Sequence, residues 1–207
     1  SARYGALEGK VKVNYLKCLA RLVAVSFAMG MLLLRPALAE QTGVPATIVV
    51  LGDSLSAGYG LGPGESFPEQ LQVALTERGI AAKIIGAGVS GDTTSGGLAR
   101  LDWSVSEGTD GVIVELGAND GLRGVPVPKM RQNMEAIVAR LDERNIGVLL
   151  AGMEAPPNMG ADYGADFRAV YQDLAEEYGA MLYPFFLDGV AADASLNQAD
   201  GIHPTAE

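Results

Sequence analysis

Short apolar runs alternate with longer amphipathic segments along most of the chain. Five runs predict strands, and they occupy residues 47–51, 83–85, 112–116, 148–151 and 181–183. Runs of this kind are apolar on both faces, as parallel strands are when helices cover both sides of the sheet. The pattern therefore predicts a parallel sheet enclosed by helices.

Helices are predicted where apolar side chains recur at the spacing of one helical face. One such stripe consists of Met130, Met134, Ile137, Val138 and Leu141, and a second of Phe167, Val170, Tyr171, Leu174 and Tyr178. We interpret both stripes as core. Weaker helix signals cover residues 67–78 and 98–106. Alternating strands and helices, without an internal repeat or a linker, predict one α/β domain whose ligand site lies beyond the carboxyl ends of the strands.

The first 39 residues depart from this pattern and predict a leader with a signal peptide. Basic residues precede an apolar run over 22–34, and Ala37-Leu38-Ala39 follows it, which is the order found in secretory signals. The run is shorter than the about 20 residues that span a bilayer. We therefore expect cleavage after Ala39, a periplasmic or secreted domain over residues 40–207, and no stable membrane span after cleavage.

Charge changes at the same boundary. The chain carries a net charge of −10, but residues 1–39 contribute six basic residues and one acidic residue, so residues 40–207 carry −15. An acidic domain repels phosphate backbones and anionic membrane surfaces, which argues against nucleic acid as a partner. The one cysteine, Cys18, precedes the apolar run. We therefore expect a mature domain without disulfides, held together by its core.

His203 is the only histidine in the sequence, and imidazole is the usual general base at neutral pH. Asp200 precedes it by three residues, and Gly201 between them favours a tight turn in which the carboxylate can accept the Nδ1 proton. The alternative is a structural histidine beside an ordinary Asp-Gly turn. One histidine and no cysteine in residues 40–207 leave too few ligands for metal-dependent hydrolysis, so we expect neither a metal nor another cofactor.

Ser54 is the serine best placed to act as a nucleophile. It follows the most apolar strand directly, within Gly52-Asp53-Ser54-Leu55-Ser56, and is therefore expected at the carboxyl end of the first strand. The segment lacks the final glycine of G-x-S-x-G, which argues against an α/β-hydrolase fold. The alternative is a simple strand-ending turn with a helix cap.

Two glycine-flanked turns after the second and third strands offer donors for a developing oxyanion. Gly91 can offer its backbone N–H where a side chain would block the approach. Asn119 can offer its side-chain amide. Ordinary turn chemistry is the alternative for each residue taken singly.

Four segments together resemble the conserved blocks of the SGNH, or GDSL, hydrolases. They are, in the family's order, GDSLSAGYG around Ser54, SGD at 90–92, LGAND at 116–120 and DGIHP at 200–204. Three further cues are similar to the thioesterase, lysophospholipase and arylesterase branch of the family: GLARL at 97–101, DGLRG at 120–124 and PxNxGxxY at 156–163.

The resemblance implies an α/β three-layer sandwich around a five-stranded parallel sheet of flavodoxin-like order. It also implies that Ser54 is the nucleophile, that Asp200 and His203 complete a triad, and that the oxyanion hole consists of the N–H groups of Ser54 and Gly91 with the amide of Asn119. The implied reaction is hydrolysis of acyl or aryl esters, acyl thioesters or lysophospholipids through an acyl-enzyme on Ser54, without a cofactor.

The substrate pocket and the end of the chain are less well determined by the sequence. We expect pocket walls at Tyr59, Leu122, Met153 and Tyr163. Members of the family usually continue beyond their histidine into a closing helix, whereas this sequence ends at Glu207. We therefore expect residues 40–207 to lack the C-terminal helix and one face of the sheet to be less covered.

Two other functions fit parts of the sequence. Gly86 to Gly91 satisfies G-x-G-x-x-G after a strand, with Glu107 and Asp110 roughly where a ribose-binding acid is expected, so a dinucleotide-binding module is one alternative. The strand before this motif is short and is not the first of the sheet. A catalytically impaired acyl- or carbohydrate-binding periplasmic protein is the other alternative. The missing tail favours it, and the intact catalytic blocks oppose it.

Overall fold

The five predicted strands form one sheet. A computed structural model describes residues 44–207; the predicted signal peptide lies outside the described residues. The strands are β1 (Ala46–Gly52), β2 (Ala82–Gly88), β3 (Gly111–Glu115), β4 (Gly147–Ala151) and β5 (Met181–Tyr183). Their order is β2-β1-β3-β4-β5, and every neighbouring pair is parallel. This is the flavodoxin-like order, as predicted.

Helices connect the strands. They are α1 (Ser54–Ala57), α2 (Phe67–Glu77), α3 (Thr94–Ala99), α4 (Leu101–Ser104), α5 (Ala118–Leu122), α6 (Val127–Glu143) and α7 (Ala161–Tyr178), with a 3₁₀ turn at Pro157–Met159. The two predicted stripes lie on α6 and α7 and are buried, apart from the half-buried Tyr178. No helix within residues 44–207 has both the length and the apolar character needed to cross a membrane.

One helix prediction was wrong in its bounds. The segment predicted over 98–106 is two short helices, α3 and α4, and α3 begins earlier than expected. The early start has a local cause, because the Thr93 hydroxyl accepts a hydrogen bond from Gly96 N and caps the helix. The break lies at Arg100, whose backbone leaves helical geometry.

The two faces of the sheet are covered unequally. On one face, β1, β3 and β4 pack against α6 and α7 in the larger core. On the other, a smaller core of Val50, Ile113 and Ala151 lies under α2. After β5, the described chain runs through turns to Glu207 without a further helix. A hollow of about 450 Å³ remains on this second face, with Leu149 and Phe186 among its walls.

Glycines at the carboxyl edge let α1 lie directly on the sheet. Gly52 pairs in register with Gly88 on one side and with Glu115 on the other. A Cβ atom on Gly88 would lie 2.5 Å from Ala57 N and 2.8 Å from Asp53 O. Only bare backbone fits beneath α1 at this position. The first residue of α1 is therefore held at the edge of the sheet where ligands bind in open α/β folds.

Candidate active site

Ser54 begins α1 at the carboxyl end of β1, where its position after an apolar run predicts it. Asp53 caps the helix, because its Oδ1 accepts a hydrogen bond from Leu55 N at 3.0 Å. Gly58 ends the helix in a left-handed conformation with φ 74°. The strand, the cap and the short helix together fix the backbone on both sides of the serine.

The structure brings Ser54 and His203 together across 149 residues of sequence. His203 Nε2 lies 2.9 Å from Ser54 Oγ, and His203 Nδ1 lies 2.7 Å from Asp200 Oδ2. Asp200 also accepts hydrogen bonds from the backbone N–H groups of Ile202 and His203 at 3.1 Å each. Gly201, at φ 75°, makes the turn between them.

The ionisation of Asp200 determines which nitrogen of the His203 ring carries the proton. The pKa of Asp200 is lowered to about 2, first by the hydrogen bond from the His203 ring and then by the N–H groups of Ile202 and His203. An ionised carboxylate can only accept hydrogen bonds, so Nδ1 of His203 carries the proton. Nε2 is then left with its lone pair toward the hydroxyl of Ser54. This is the arrangement in which imidazole acts as a general base.

Gln198 fastens the histidine loop to the segment after α1. Its Nε2 donates to Tyr59 O at 2.7 Å and to Pro204 O at 2.9 Å, and its backbone N–H donates to His203 O at 2.7 Å. The Tyr59 ring lies against the His203 ring with centroids 4.6 Å apart. The sequence offers no signal for the role of Gln198, because its main partner is 139 residues away.

Gly91 and Asn119, the residues predicted to bind an oxyanion, line the same cleft as Ser54. Gly91 has φ 81°, and its carbonyl accepts a hydrogen bond from Arg123 Nη2 at 2.7 Å, which fixes the loop. Asn119 lies in α5, and its Nδ2 donates to Asp53 Oδ2 at 2.9 Å. An amide nitrogen carries two hydrogens, so one holds the side chain to Asp53 and one remains for a substrate oxygen.

A cleft of about 630 Å³ opens beside these groups, and Ser54, Gly91, Asn119 and His203 all contribute to its lining. Its walls are mainly apolar and include Leu122, Met153, Ala155, Pro156, Phe185, Leu187 and Ile202. Among residues 44–207, no cluster of histidine, cysteine and acidic side chains is arranged to hold a metal ion. The site therefore combines a small polar centre with an apolar surround.

Three of the four expected pocket walls, Tyr59, Leu122 and Met153, line this cleft. Tyr163 is not among the described residues that line it. The Tyr163 hydroxyl donates to Val125 O at 2.8 Å, and its ring stacks on Phe167 with centroids 6.0 Å apart. These contacts tie Tyr163 to Phe167 and to the segment before α6, and its role as a pocket wall stays a prediction.

Comparison with known proteins decides the family. The profile of the GDSL-like lipase/acylhydrolase family matches residues 50–207. The chain belongs to this family. Esterase TesA of Pseudomonas aeruginosa is 39% identical over 168 residues, which cover 81% of this chain and 84% of that protein. Thioesterase 1/protease 1/lysophospholipase L1 of Escherichia coli K12 is 36% identical over 162 residues, covering 78% and 76%.

A solved structure agrees with the sequence comparison. AlinE4, an SGNH-hydrolase family esterase, matches with a TM-score of 0.74 at 50% identity, over 80% of this chain and 89% of that chain. The resemblance drawn from the four sequence blocks, the SGNH fold and hydrolysis of esters as the activity are thereby confirmed.

The glycine pattern at residues 86–91 has another explanation in this GDSL-family fold. Gly86 and Gly88 lie inside β2, and Gly88 provides the space that α1 occupies. The next helix begins only at Thr94. A dinucleotide fingerprint instead requires glycines in a tight strand-to-helix turn. The pattern reflects packing beneath Ser54 and not a phosphate site.

Two fully buried carboxyl groups lie behind Ser54. Glu115 Oε2 accepts a hydrogen bond from Asp53 N at 3.2 Å, and Glu115 Oε1 has no partner among residues 44–207. Burial raises the pKa of both groups, and the nearby charge of Asp53 raises that of Glu115 further. Asp53 accepts N–H groups from Leu55 and Asn119, so Glu115 is the group that keeps its proton.

Sequence reasoning missed both acids. The turn at Asp53 was interpreted as a helix cap. Asp53 does cap the helix, but it also orients the amide of Asn119. Glu115 was hidden inside the apolar run 112–116. A carboxyl group within a strand that is otherwise apolar on both faces is a signal for a buried polar role, because such a group is costly to bury without a partner.

Proposed function

We propose that this hydrolase cleaves its substrates through an acyl-enzyme on Ser54. The observation that carries the proposal is the continuous chain of hydrogen bonds from Asp200 through His203 to Ser54, with heavy-atom distances of 2.7 and 2.9 Å. His203 Nε2 takes the hydroxyl proton as Ser54 Oγ attacks the carbonyl carbon. Asp200 stabilises the imidazolium that forms and keeps the ring in its orientation.

The negative charge that develops on the carbonyl oxygen is bound by three donors. They are the backbone N–H groups of Ser54 and Gly91 and the second amide hydrogen of Asn119. Donors fixed before the reaction stabilise the transition state without reorganising. His203 then returns its proton to the leaving alcohol or thiol. In the second step, His203 activates a water molecule that releases the acyl group, and no cofactor is required.

The cleft favours uncharged acyl or aryl groups as substrates. Its apolar walls, such as Leu122, Met153 and Phe185, can bury such a group beside Ser54. Acyl and aryl esters, acyl thioesters and lysophospholipids all meet this requirement. The names of the relatives, an esterase and a thioesterase and lysophospholipase, support the same range. We do not expect nucleic acid as a partner, because residues 40–207 carry a net charge of −15.

The proposed site of action is the periplasm or the exterior of the cell. The support is the basic segment, the apolar run and Ala37-Leu38-Ala39, with residues 40–207 as the mature domain. The test is expression of the full chain in a Gram-negative host. The periplasmic or secreted protein should begin Glu40-Gln41-Thr42. Uncleaved protein confined to the cytoplasm would contradict the proposal.

The experiment that tests the reaction is hydrolysis of p-nitrophenyl esters of increasing chain length and of an acyl thioester. Ser54→Ala should lose about 10⁶-fold in kcat, as removal of a triad nucleophile does. Ser90→Ala is the matched control, because Ser90 also lines the cleft but, among the described residues, makes no hydrogen bond to His203. A folded Ser54→Ala protein with substantial activity would contradict the proposal. Absence of turnover by the wild-type chain would instead favour the impaired binding protein.

A further inference from the structure

Arg100 is a largely buried cation next to the proposed oxyanion hole, and no step of the reaction uses it. Its side chain is 16% exposed and its guanidinium makes four hydrogen bonds. Nε donates to Asp92 Oδ2 at 2.7 Å, and Nη2 donates to Gly52 O at 2.9 Å. Nη1 donates to Ala87 O at 2.7 Å and to Ser104 Oγ at 3.0 Å.

Two of these acceptors, Gly52 O and Asp92 Oδ2, belong to the segments that carry two of the proposed oxyanion donors. Gly52 is the last residue of β1 and lies two positions before Ser54. Asp92 directly follows Gly91. One planar group therefore joins the end of β1 to the loop after β2. A direct backbone hydrogen bond, from Val89 N to Gly52 O at 3.0 Å, also joins these segments.

We propose that Arg100 is the positioning residue of the oxyanion hole, and that its guanidinium sets the separation between the N–H groups of Ser54 and Gly91. The inference rests on the proposed function, in which those two groups bind the oxyanion. Arg100 is not among the described residues that line the cleft, so it acts through the backbone and not on the substrate.

The geometry explains why arginine is required. A guanidinium presents five N–H donors in a rigid plane, and here four acceptors surround it. A lysine retains the positive charge for Asp92, but its single ammonium group cannot span acceptors on β1, β2 and α4 together. Arg100→Lys therefore keeps the ion pair with Asp92 but loses the set of hydrogen bonds from Arg100 to Gly52, Ala87 and Ser104, which together with the Asp92 contact we call the Arg100 clamp.

The effect should fall on the transition state. The oxyanion exists mainly there, so a shifted Gly91 N–H lowers kcat and leaves ground-state binding nearly unchanged. A misplacement of about 1 Å in a catalytic group costs about 10²-fold. We expect Arg100→Lys to lower kcat by about 10- to 100-fold, with KM within about 3-fold of the wild-type value.

Arg144→Lys is the matched control. Arg144 is also partly buried, at 24% side-chain exposure, and its Nη2 donates to Val105 O and Ser106 O at 2.7 and 3.2 Å. Its backbone acceptors lie after α4, away from the cleft. Both variants should unfold at lower temperature than the wild type, because each loses a hydrogen bond to the carbonyl of a buried residue, Gly52 or Val105. Only Arg100→Lys should lose kcat when both are assayed well below their melting temperatures.

A second readout reports on the oxyanion hole itself. An alkyl boronate forms a tetrahedral adduct with a serine hydroxyl and presents an oxygen to the donors. The inhibition constant of the boronate should rise in Arg100→Lys by the same factor as kcat/KM falls, and it should not change in Arg144→Lys. If Arg100→Lys does not fold, Asp92→Asn weakens the same clamp and should show the same two effects at smaller size.

The outcomes separate this inference from the proposed function. If folded Arg100→Lys kept the kcat and the boronate affinity of the wild type, the role of Arg100 would be overturned. The proposed function would still stand in that case, provided that Ser54→Ala loses its activity. An equal loss of kcat in Arg144→Lys would also overturn it, because the effect would then be one of general stability. Retained activity in Ser54→Ala would overturn both.

Discussion

The two sides of the site are held in different ways. On one side, Ser54 and Asn119 stand on the carboxyl edge of the sheet, above the fully buried acids Asp53 and Glu115. On the other, Asp200 and His203 lie on a loop, and the Asp200 side chain is 39% exposed. We call these the sheet side and the loop side. Each contributes one partner to the Ser54–His203 hydrogen bond.

The difference lies in what each side loses when a polar group is removed. Groups on the sheet side have buried partners, and a buried donor or acceptor left unpaired costs about 1–3 kcal/mol. On the loop side, Asp200 bonds mainly to its own loop, where water can replace a lost partner. Substitutions on the loop side should therefore change activity with little effect on stability. Substitutions on the sheet side should change both.

Asp200→Asn should give the largest effect among the following variants. An amide at this position no longer fixes the tautomer of His203, and the comparable change in a serine triad lowers kcat by about 10⁴-fold. The denaturant midpoint should change little. Asp193→Asn is the matched control, because Asp193 is an exposed aspartate that makes a similar local turn with Ser195. Unfolding of Asp200→Asn under assay conditions would contradict the separation of activity from stability.

Asn119→Ala tests the sheet side and should lower kcat by about 10²–10³-fold, as loss of one oxyanion donor does. It should also lower the free energy of unfolding by about 1–2 kcal/mol, because Asp53 loses a buried donor. The measurements are kcat, KM and the denaturant midpoint on the same samples. Reduced stability with unchanged kcat would mean that Asn119 only supports the turn.

Asn119→Asp is a less clean probe than Asn119→Ala. The new carboxylate would lie beside Asp53, at the 2.9 Å contact that the amide now makes. Like charges at this distance in a buried site destabilise the fold by themselves. Its loss of activity would therefore not distinguish the oxyanion role from unfolding.

Gln198→Ala tests the attachment of the loop side to the segment after α1. Loss of its hydrogen bonds to Tyr59 O and Pro204 O should loosen the position of His203 and lower kcat by about 10-fold, the equivalent of one net hydrogen bond. Gln72→Ala is the matched control, since Gln72 ties α2 to β2 through Ala82 O and Ile84 N. The control should lose stability and keep kcat. An unchanged kcat in Gln198→Ala would mean that other contacts hold the loop of His203.

Glu115→Gln should have the smallest effect on activity, because its effect falls on stability. Because the pKa of Glu115 is raised by burial and by Asp53, the folded protein keeps a proton that the unfolded chain releases above about pH 4.3. Wild-type stability therefore falls as pH rises from there toward the folded pKa, by about 1.4 kcal/mol for each pH unit. A glutamine at position 115 does not ionise, so the variant lacks this dependence of stability on pH.

The variant should match the wild type at pH 4 and gain in relative stability as the pH rises toward 8. The other ionisable groups facing Glu115 are Asp53 and Tyr171, and the pKa of Tyr171 is itself raised well above its usual value by burial. Glu154→Gln is the control, because Glu154 lies in an exposed pair with Arg168. Denaturant unfolding between pH 4 and pH 8 measures the effect. A wild-type advantage that grows with pH would mean that Glu115 is ionised in the fold.

The strands could be predicted from the sequence because their residues are apolar wherever both faces are buried. β2 shows the limit of this rule. Only residues 83–85 were predicted, whereas the strand continues to Gly88. Its last residues are small, and pairing with β1 decides their conformation. A local pattern does not contain that information.

The site was predictable where chemistry is concentrated in a short segment. Ser54, Asp200 and His203 stand in such segments, and the structure brings them within hydrogen-bond distance. Arg100 and Gln198 were not recognised, because each acts on backbone carbonyls, as at Gly52 and Tyr59, that are distant in sequence. Every residue type has the same backbone carbonyl, so the sequence does not indicate which carbonyl serves as an acceptor.

The most direct test of the central claim is the site of labelling by a fluorophosphonate probe. This reagent reacts with a serine only when a base activates it and donors bind its phosphoryl oxygen, so it requires both sides of the site. Peptide mapping of the wild-type protein should find one label per chain, on Ser54. The label should disappear in Ser54→Ala and form much more slowly in Asp200→Asn. Labelling of Ser56 or Ser90 instead, or equal labelling of Asp200→Asn, would contradict the account.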